Sequence, residues 1–165
     1  MTESKSMLNK LVSYKGIIHE RAEDAPFMGA LIIATSCSNG CQGCFNQHLK
    51  DAKTYVRCVD DVIREVRNNP FNDGIILGGL EWSEQPEEAT MLIRSAMRSN
   101  LQVMLYTGLT ESDLYSRISL NELVGCYVKF GKYDSKLASN TYASYGVKLA
   151  STNQYIKFIN SPGSN

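Results

Sequence analysis

Residues 30–46 read ALIIATSCSNGCQGCFN. The opening run, ALIIAT at 30–35, is short, apolar and bounded by polar residues, the pattern of a strand buried within a sheet. It runs directly into Cys37, Cys41 and Cys44, three thiols within eight residues, with Gly40 and Gly43 allowing the backbone to wrap tightly around whatever they hold. A cysteine loop in this position stands at the carboxyl end of its strand, the edge at which ligands bind in open parallel sheets.

Working outward, LVSYKGIIHERA at 11–22 reads as an early strand or hairpin arm. Downstream, Val59, Val62, Ile63 and Val66 recur at helical spacing over 59–67, and Asp60 and Asp61 suit the positive end of the helix dipole. GIILGG at 74–79 reads as a second buried strand ending in paired glycines. The helix after it presents Ala89, Leu92, Ile93, Ala96 and Met97 on one face, with Pro86 in its first turn. QVMLYTG at 102–108 is a third strand, and Thr110 with Asp113 has the spacing of a capping box. CYVKFG, ending at Gly131, and YIKFI at 155–159 are further strands, with an unassigned polar stretch between them. Strands alternating with helices predict an α/β fold with a mainly parallel sheet. The cysteine loop, Gly78-Gly79 and Thr107-Gly108 would then converge on one edge.

The chain has 165 residues, 43% of them hydrophobic, enough for one domain with a real core, and no repeat or interdomain linker divides it. Residues 1–29 carry no motif beyond the early strands, and the end from 160 to 165 reads as a loose tail. Lysine plus arginine and aspartate plus glutamate each number 17, so no global field points to nucleic acid or an anionic membrane. A local excess of Lys129, Lys132, Lys136, Lys148 and Lys157 over the single acid Asp134 reads first as a solvated face, and second as a docking site for an acidic partner. Without a signal-peptide pattern or an apolar run long enough to span a bilayer, the expected location is the cytoplasm.

Five cysteines in a reducing compartment are not a disulfide framework. Cys58 and Cys126 stand alone and read as packing residues, whereas the C-x3-C-x2-C spacing of Cys37, Cys41 and Cys44 favours zinc or an iron–sulfur cluster. A structural zinc site needs a fourth ligand, and His48, four residues after Cys44, can supply one. Three cysteines on a cubic 4Fe-4S cluster leave one iron open, and an open position is where a metal site does chemistry.

The cysteine spacing resembles that of the radical S-adenosylmethionine superfamily. Within it, CQGCFN with Asn46, GIILGG, LYTG at 105–108, GKY at 131–133 and LASTNQ at 149–154 are similar, in order, to motifs of the activating proteins of anaerobic ribonucleotide reductases. Two positions depart from that pattern: the acid expected directly after the paired glycines is displaced to Glu81, and the acid before GKY is Phe130. The resemblance implies an incomplete TIM-barrel-like fold and a 4Fe-4S cluster on Cys37, Cys41 and Cys44. S-adenosylmethionine would be contacted by Asn46, Gly78, Gly79, Glu81, Thr107, Ser151 and Asn153. It further implies an external one-electron donor and a large reductase subunit whose glycine receives the radical. A radical enzyme with another substrate and a noncatalytic zinc module are the other function classes compatible with the residues.

Overall fold

The structure, a computed structural model, describes residues 10–38 and 47–161. Strands β3 (Gly29–Ile33), β5 (Gly74–Gly78), β6 (Gln102–Tyr106) and β7 (Tyr127–Phe130) lie side by side in chain order and run parallel. β2 (Gly16–Arg21) closes one edge of this sheet and β10 (Tyr155–Phe158) the other, both antiparallel, giving six strands in the order β10-β7-β6-β5-β3-β2. The predicted α/β class with a mainly parallel sheet is what forms, and the sheet does not close into a barrel.

Sequential parallel neighbours joined by right-handed crossovers place every connecting helix on one face. The packing agrees. Ala30, Ile32, Ile75, Leu77, Val103, Leu105, Val128 and Phe130 alternate onto one side of the strands. They share a core with the buried faces of α1 (Val59–Asn68) and α2 (Pro86–Arg98) and with Leu114 of α3 (Glu111–Arg117) and Leu123 of α4 (Leu120–Leu123). Each fully buried Leu or Ile there contributes about 1.5–3 kcal/mol relative to exposure. The helix signals hold locally: Pro86 opens α2, and the Thr110 side chain accepts from the Asp113 amide.

The opposite face carries Leu31, Ile76, Met104, Tyr106, Tyr127 and Ile156, covered by Ala25 and Phe27 before β3 and by Val147 and Leu149 near the end of the chain. The polar stretch left unassigned by sequence contains a 3-10 turn at Ser135–Leu137 and a small hairpin, β8 (Ala143–Ser144) with β9 (Val147–Lys148). The N-terminal hairpin arm resolves differently from expectation. β1 (Leu11–Tyr14) pairs with β4 (Tyr55–Cys58), a strand that its sequence did not reveal, while β2 joins the main sheet. Residues 162–165, most of the predicted tail, lie outside the described residues.

Gly29 and Gly74 are register partners at the amino ends of β3 and β5, beneath the Phe27 ring. A Cβ on Gly74 would sit 2.3 Å from the Gln102 carbonyl oxygen and 2.5 Å from Phe27. Gly74→Ala should therefore destabilise the protein by about 1–3 kcal/mol or more. Gly16→Ala, whose Cβ would meet only Ile33 at 3.8 Å, should be close to neutral in the same urea titration.

Glu111 fastens α3 to β10 by accepting from Lys157 Nζ at 2.8 Å and the Tyr155 hydroxyl at 2.7 Å, and it also accepts from Tyr115. The Lys157 bond, followed by those of the two tyrosines, holds its carboxyl below the usual carboxylate range, against the opposing effect of burial. Its contribution is thus fully present above that range and is lost as pH falls through the lowered value. Glu111→Gln should flatten the acid limb of a urea-midpoint against pH profile.

Candidate functional site

The backbone ladder continues past the carboxyl ends of the parallel strands and keeps their loops side by side. Ala34 N–H donates to Gly78 O at 3.1 Å, Glu81 N–H to Ser36 O at 2.9 Å and Thr107 N–H to Lys129 O at 2.9 Å. Between β5 and Glu81 the chain bends at Gly79, where φ is +79° and a Cβ would lie 2.7 Å from Ile33. Only glycine meets both conditions without strain. Gly78, buried at the end of β5, serves through its carbonyl, and Gly79 reaches the cavity.

Glu81 is 2% exposed. Its carboxylate accepts from the Gly108 amide at 2.7 Å, the Thr107 hydroxyl at 3.0 Å and the Ser83 amide at 3.2 Å. Glu81 thus ties the end of β5 to the end of β6 while lining the cavity. Leu80, between Gly79 and Glu81, packs into the helix-side core. Thr107, also 2% exposed, completes the bend by accepting from Leu109 N–H at 3.1 Å.

These loops surround a cavity of about 260 Å³ at the carboxyl ends of β3, β5, β6 and β7. Strand alternation decides what faces it. In β7, Val128 and Phe130 point to the helices, so Lys129 points to the cavity; in β6, Leu105 points to the helices and Tyr106 to the cavity. Lys129 and Tyr106 are register partners, and the ammonium group lies 5.6 Å from the ring centroid. Lys129 Nζ donates to Gly131 O at 3.0 Å, while the Tyr106 hydroxyl donates to Asp24 O and burial pushes its pKa upward. Phe130, where the resemblance led to the expectation of an acid, points away from the cavity, and its ring packs against Tyr115 and Tyr155.

Lys132 and Lys148 also line the cavity, so three of the five lysines first read as a solvated face belong to its wall, and Lys157 pairs with Glu111. Sequence reasoning missed Tyr106, Lys129 and Asp24. The alternation of Tyr127 and Lys129 with Val128 and Phe130 was the available signal for the lysine.

The C-terminal motif is arranged around Gln154. Its Oε1 accepts from the amides of Ala150 and Ser151 at 3.1 and 3.2 Å, and its Nε2 donates to Gly131 O at 3.2 Å. Gln154, Leu149 and Ala150 line the cavity. Ser151 is fully buried and accepts from the Asp134 amide at 3.1 Å, and the Asn153 side chain donates to Lys132 O at 2.8 Å. Both brace the loop from positions outside the cavity lining.

Cys37 is half-buried and lines the cavity at the end of β3. A thiolate there fits an iron–sulfur cluster: it is a soft ligand facing an open space large enough for a further group. Cys41, Cys44 and Asn46 lie outside the described residues. His48 is exposed within the 3-10 turn Gln47–Asp51. Cys126 is fully buried, and burial raises its thiol to about 12. Cys58 is half-buried immediately before α1.

Alkylation of the apo protein at pH 8 should therefore label Cys37 in the native state and Cys126 only after denaturation, as read by peptide mass spectrometry.

No curated protein matches the chain. A family model described as a 4Fe-4S single cluster domain matches residues 28–157. The matched span runs from the residue preceding β3 almost to the end of β10 and so includes the four parallel strands, the cysteine loop and the cavity lining apart from Asp24. On that match, which supports iron–sulfur binding, the chain belongs to the 4Fe-4S single cluster domain family.

Proposed function

We propose that this protein is a radical S-adenosylmethionine activase that generates a glycyl radical on a large anaerobic ribonucleoside-triphosphate reductase. The observation that carries this reading is the convergence of Cys37, Gly79, Glu81 and Thr107 on one cavity at the carboxyl edge of a parallel sheet. In this reading Cys37, Cys41 and Cys44 hold the cluster. When bound and reduced by an external one-electron donor, the cluster would supply the single electron needed to cleave the sulfonium of S-adenosylmethionine, and the hydrogen atom that ends up in 5'-deoxyadenosine would come from the target glycine.

The chain's own residues bind and orient. Glu81 places a negative charge on the cavity wall, suited to the amino group of a methionyl moiety, and Lys129, Lys132 and Lys148 offer ammonium groups suited to its carboxylate. The bends at Gly79 and Thr107-Gly108 bring main chain to the same wall. Asn46 belongs to the cysteine loop, while Ser151 and Asn153 support the C-terminal loop that closes the cavity.

The test is anaerobic reconstitution with iron and sulfide, reduction, and assay for 5'-deoxyadenosine, followed by electron paramagnetic resonance of the reductase mixed with the reconstituted protein. Cysteine-dependent product and a glycyl doublet are expected, with Cys41→Ala reduced to background. Glu81→Gln, which removes the charge and turns an amino group toward the amide of Gly108 or Ser83, should weaken S-adenosylmethionine binding roughly tenfold or more, with apo stability measured in parallel. Product without the doublet would redirect the reading to another substrate. Stoichiometric zinc with no cluster and no product would replace it with a binding module.

A further inference from the structure

Cys37 lies between two serines that are both held by one carboxylate. Glu84 Oε1 accepts from the Ser36 hydroxyl at 2.9 Å, and Oε2 accepts from the Ser38 amide at 2.7 Å and the Ser38 hydroxyl at 2.8 Å. The next residue extends the grip. Gln85 Oε1 accepts from Thr35 N–H at 2.9 Å and Thr35 Oγ1 at 3.0 Å, and Gln85 Nε2 donates to Ser13 O at 2.8 Å. Glu84 sits on a rigid base, because it ends the 3-10 turn Trp82–Glu84, whose Trp82 is fully buried and donates through Nε1 to Ile32 O at 2.9 Å.

The far limb of the cysteine loop is held in the same manner from outside. Lys15 Nζ donates to Lys50 O at 3.1 Å and Ala52 O at 2.6 Å, capping the 3-10 turn that follows the loop. The two anchors differ in chemistry. Lys15 meets carbonyls at a distance along the chain from the thiols, whereas Glu84 brings a full negative charge to the residues on either side of Cys37.

A carboxylate is suited to this place for two reasons. Its paired oxygens hold three groups at once, a grip that glutamine can keep by accepting from Ser38 and donating to the Ser36 hydroxyl and that alanine cannot. A fixed negative charge beside an iron–sulfur cluster also disfavours the added electron, and groups around the ligands are a principal means by which proteins set cluster potentials.

We propose that Glu84 is a positioning residue for the cluster: through Ser36 and Ser38 it fixes the ligating geometry of Cys37, and its charge lowers the cluster's reduction potential. This rests on the reading of Cys37 as a cluster ligand. The consequence is a stronger reductant, which the cleavage of a sulfonium bond demands.

The full chain and its Glu84→Gln, Glu84→Asp and Glu84→Ala variants are reconstituted anaerobically and compared by iron content, redox titration followed by electron paramagnetic resonance, and rate of iron loss to a chelator. Unfolding of each apo form is measured in parallel. Glu84→Gln should retain its cluster at a higher midpoint potential, and Glu84→Asp should return the potential toward the native value. Glu84→Ala should lose iron about 10–100-fold faster, with apo stability close to that of the parent. Native potential and native iron retention in both Gln and Ala variants would overturn the proposal. A loss of iron that merely tracks a fall in apo stability, with no change of potential, would overturn it equally. A parent protein that takes up no cluster would sink the ligand assignment itself, and this inference with it.

Discussion

Everything in the cavity depends on one register. Ile33 pairs with Gly78, Leu77 with Leu105 and Tyr106 with Lys129, so four parallel strands end level with one another. Level ends allow short hydrogen bonds to pass from loop to loop, and Glu81 closes the set by bonding to Thr107 and Gly108 from the neighbouring strand end. A slip of one residue at β7 would send Lys129 to the helices and Phe130 into the cavity, because side chains alternate with a period of two. The Gly29–Gly74 contact beneath Phe27 helps pin the other end of the same strands.

The cavity has a division of labour between its walls. The parallel strands and their first bends supply a rigid floor of buried groups, Glu81 and Thr107 among them. The C-terminal loop supplies the opposite wall, and its shape is set by Gln154, which spends its side chain on three main-chain groups. Such loops can carry exposed lysines such as Lys132 and Lys148 to a site without requiring them to be buried.

Local patterns made much of this readable in advance. Val59, Val62, Ile63 and Val66 announce α1, Thr110 announces α3, and the apolar runs at 30–35 and 74–79 announce strands, since each depends on residues near one another in sequence. Cys37, Gly79, Thr107 and Gly108 meet at the cavity, on the edge where their strand ends were expected to converge, and Glu81 joins them there. What stayed hidden depends on partners far along the chain. The pairing of β1 with β4 joins segments separated by the cysteine loop, and the Glu84 grip on Ser36 and Ser38 crosses from one strand end to another. Neither has a local periodicity. Ser151 and Asn153 were read as cofactor contacts from their motif, and their side chains are engaged with Asp134 and Lys132.

The order in which the strands enter the sheet has a consequence for synthesis. Among the described residues the helix-side core comes from positions 12–130 with Ile159 as its one late member, so most of it can form as the chain leaves the ribosome. Ile76 and Met104, on the other side, are covered in part by Val147 and Leu149, which are made later. A nascent chain arrested before these residues presents a bare apolar surface where the finished protein has a wall, and holding that surface apart from other chains falls to chaperones.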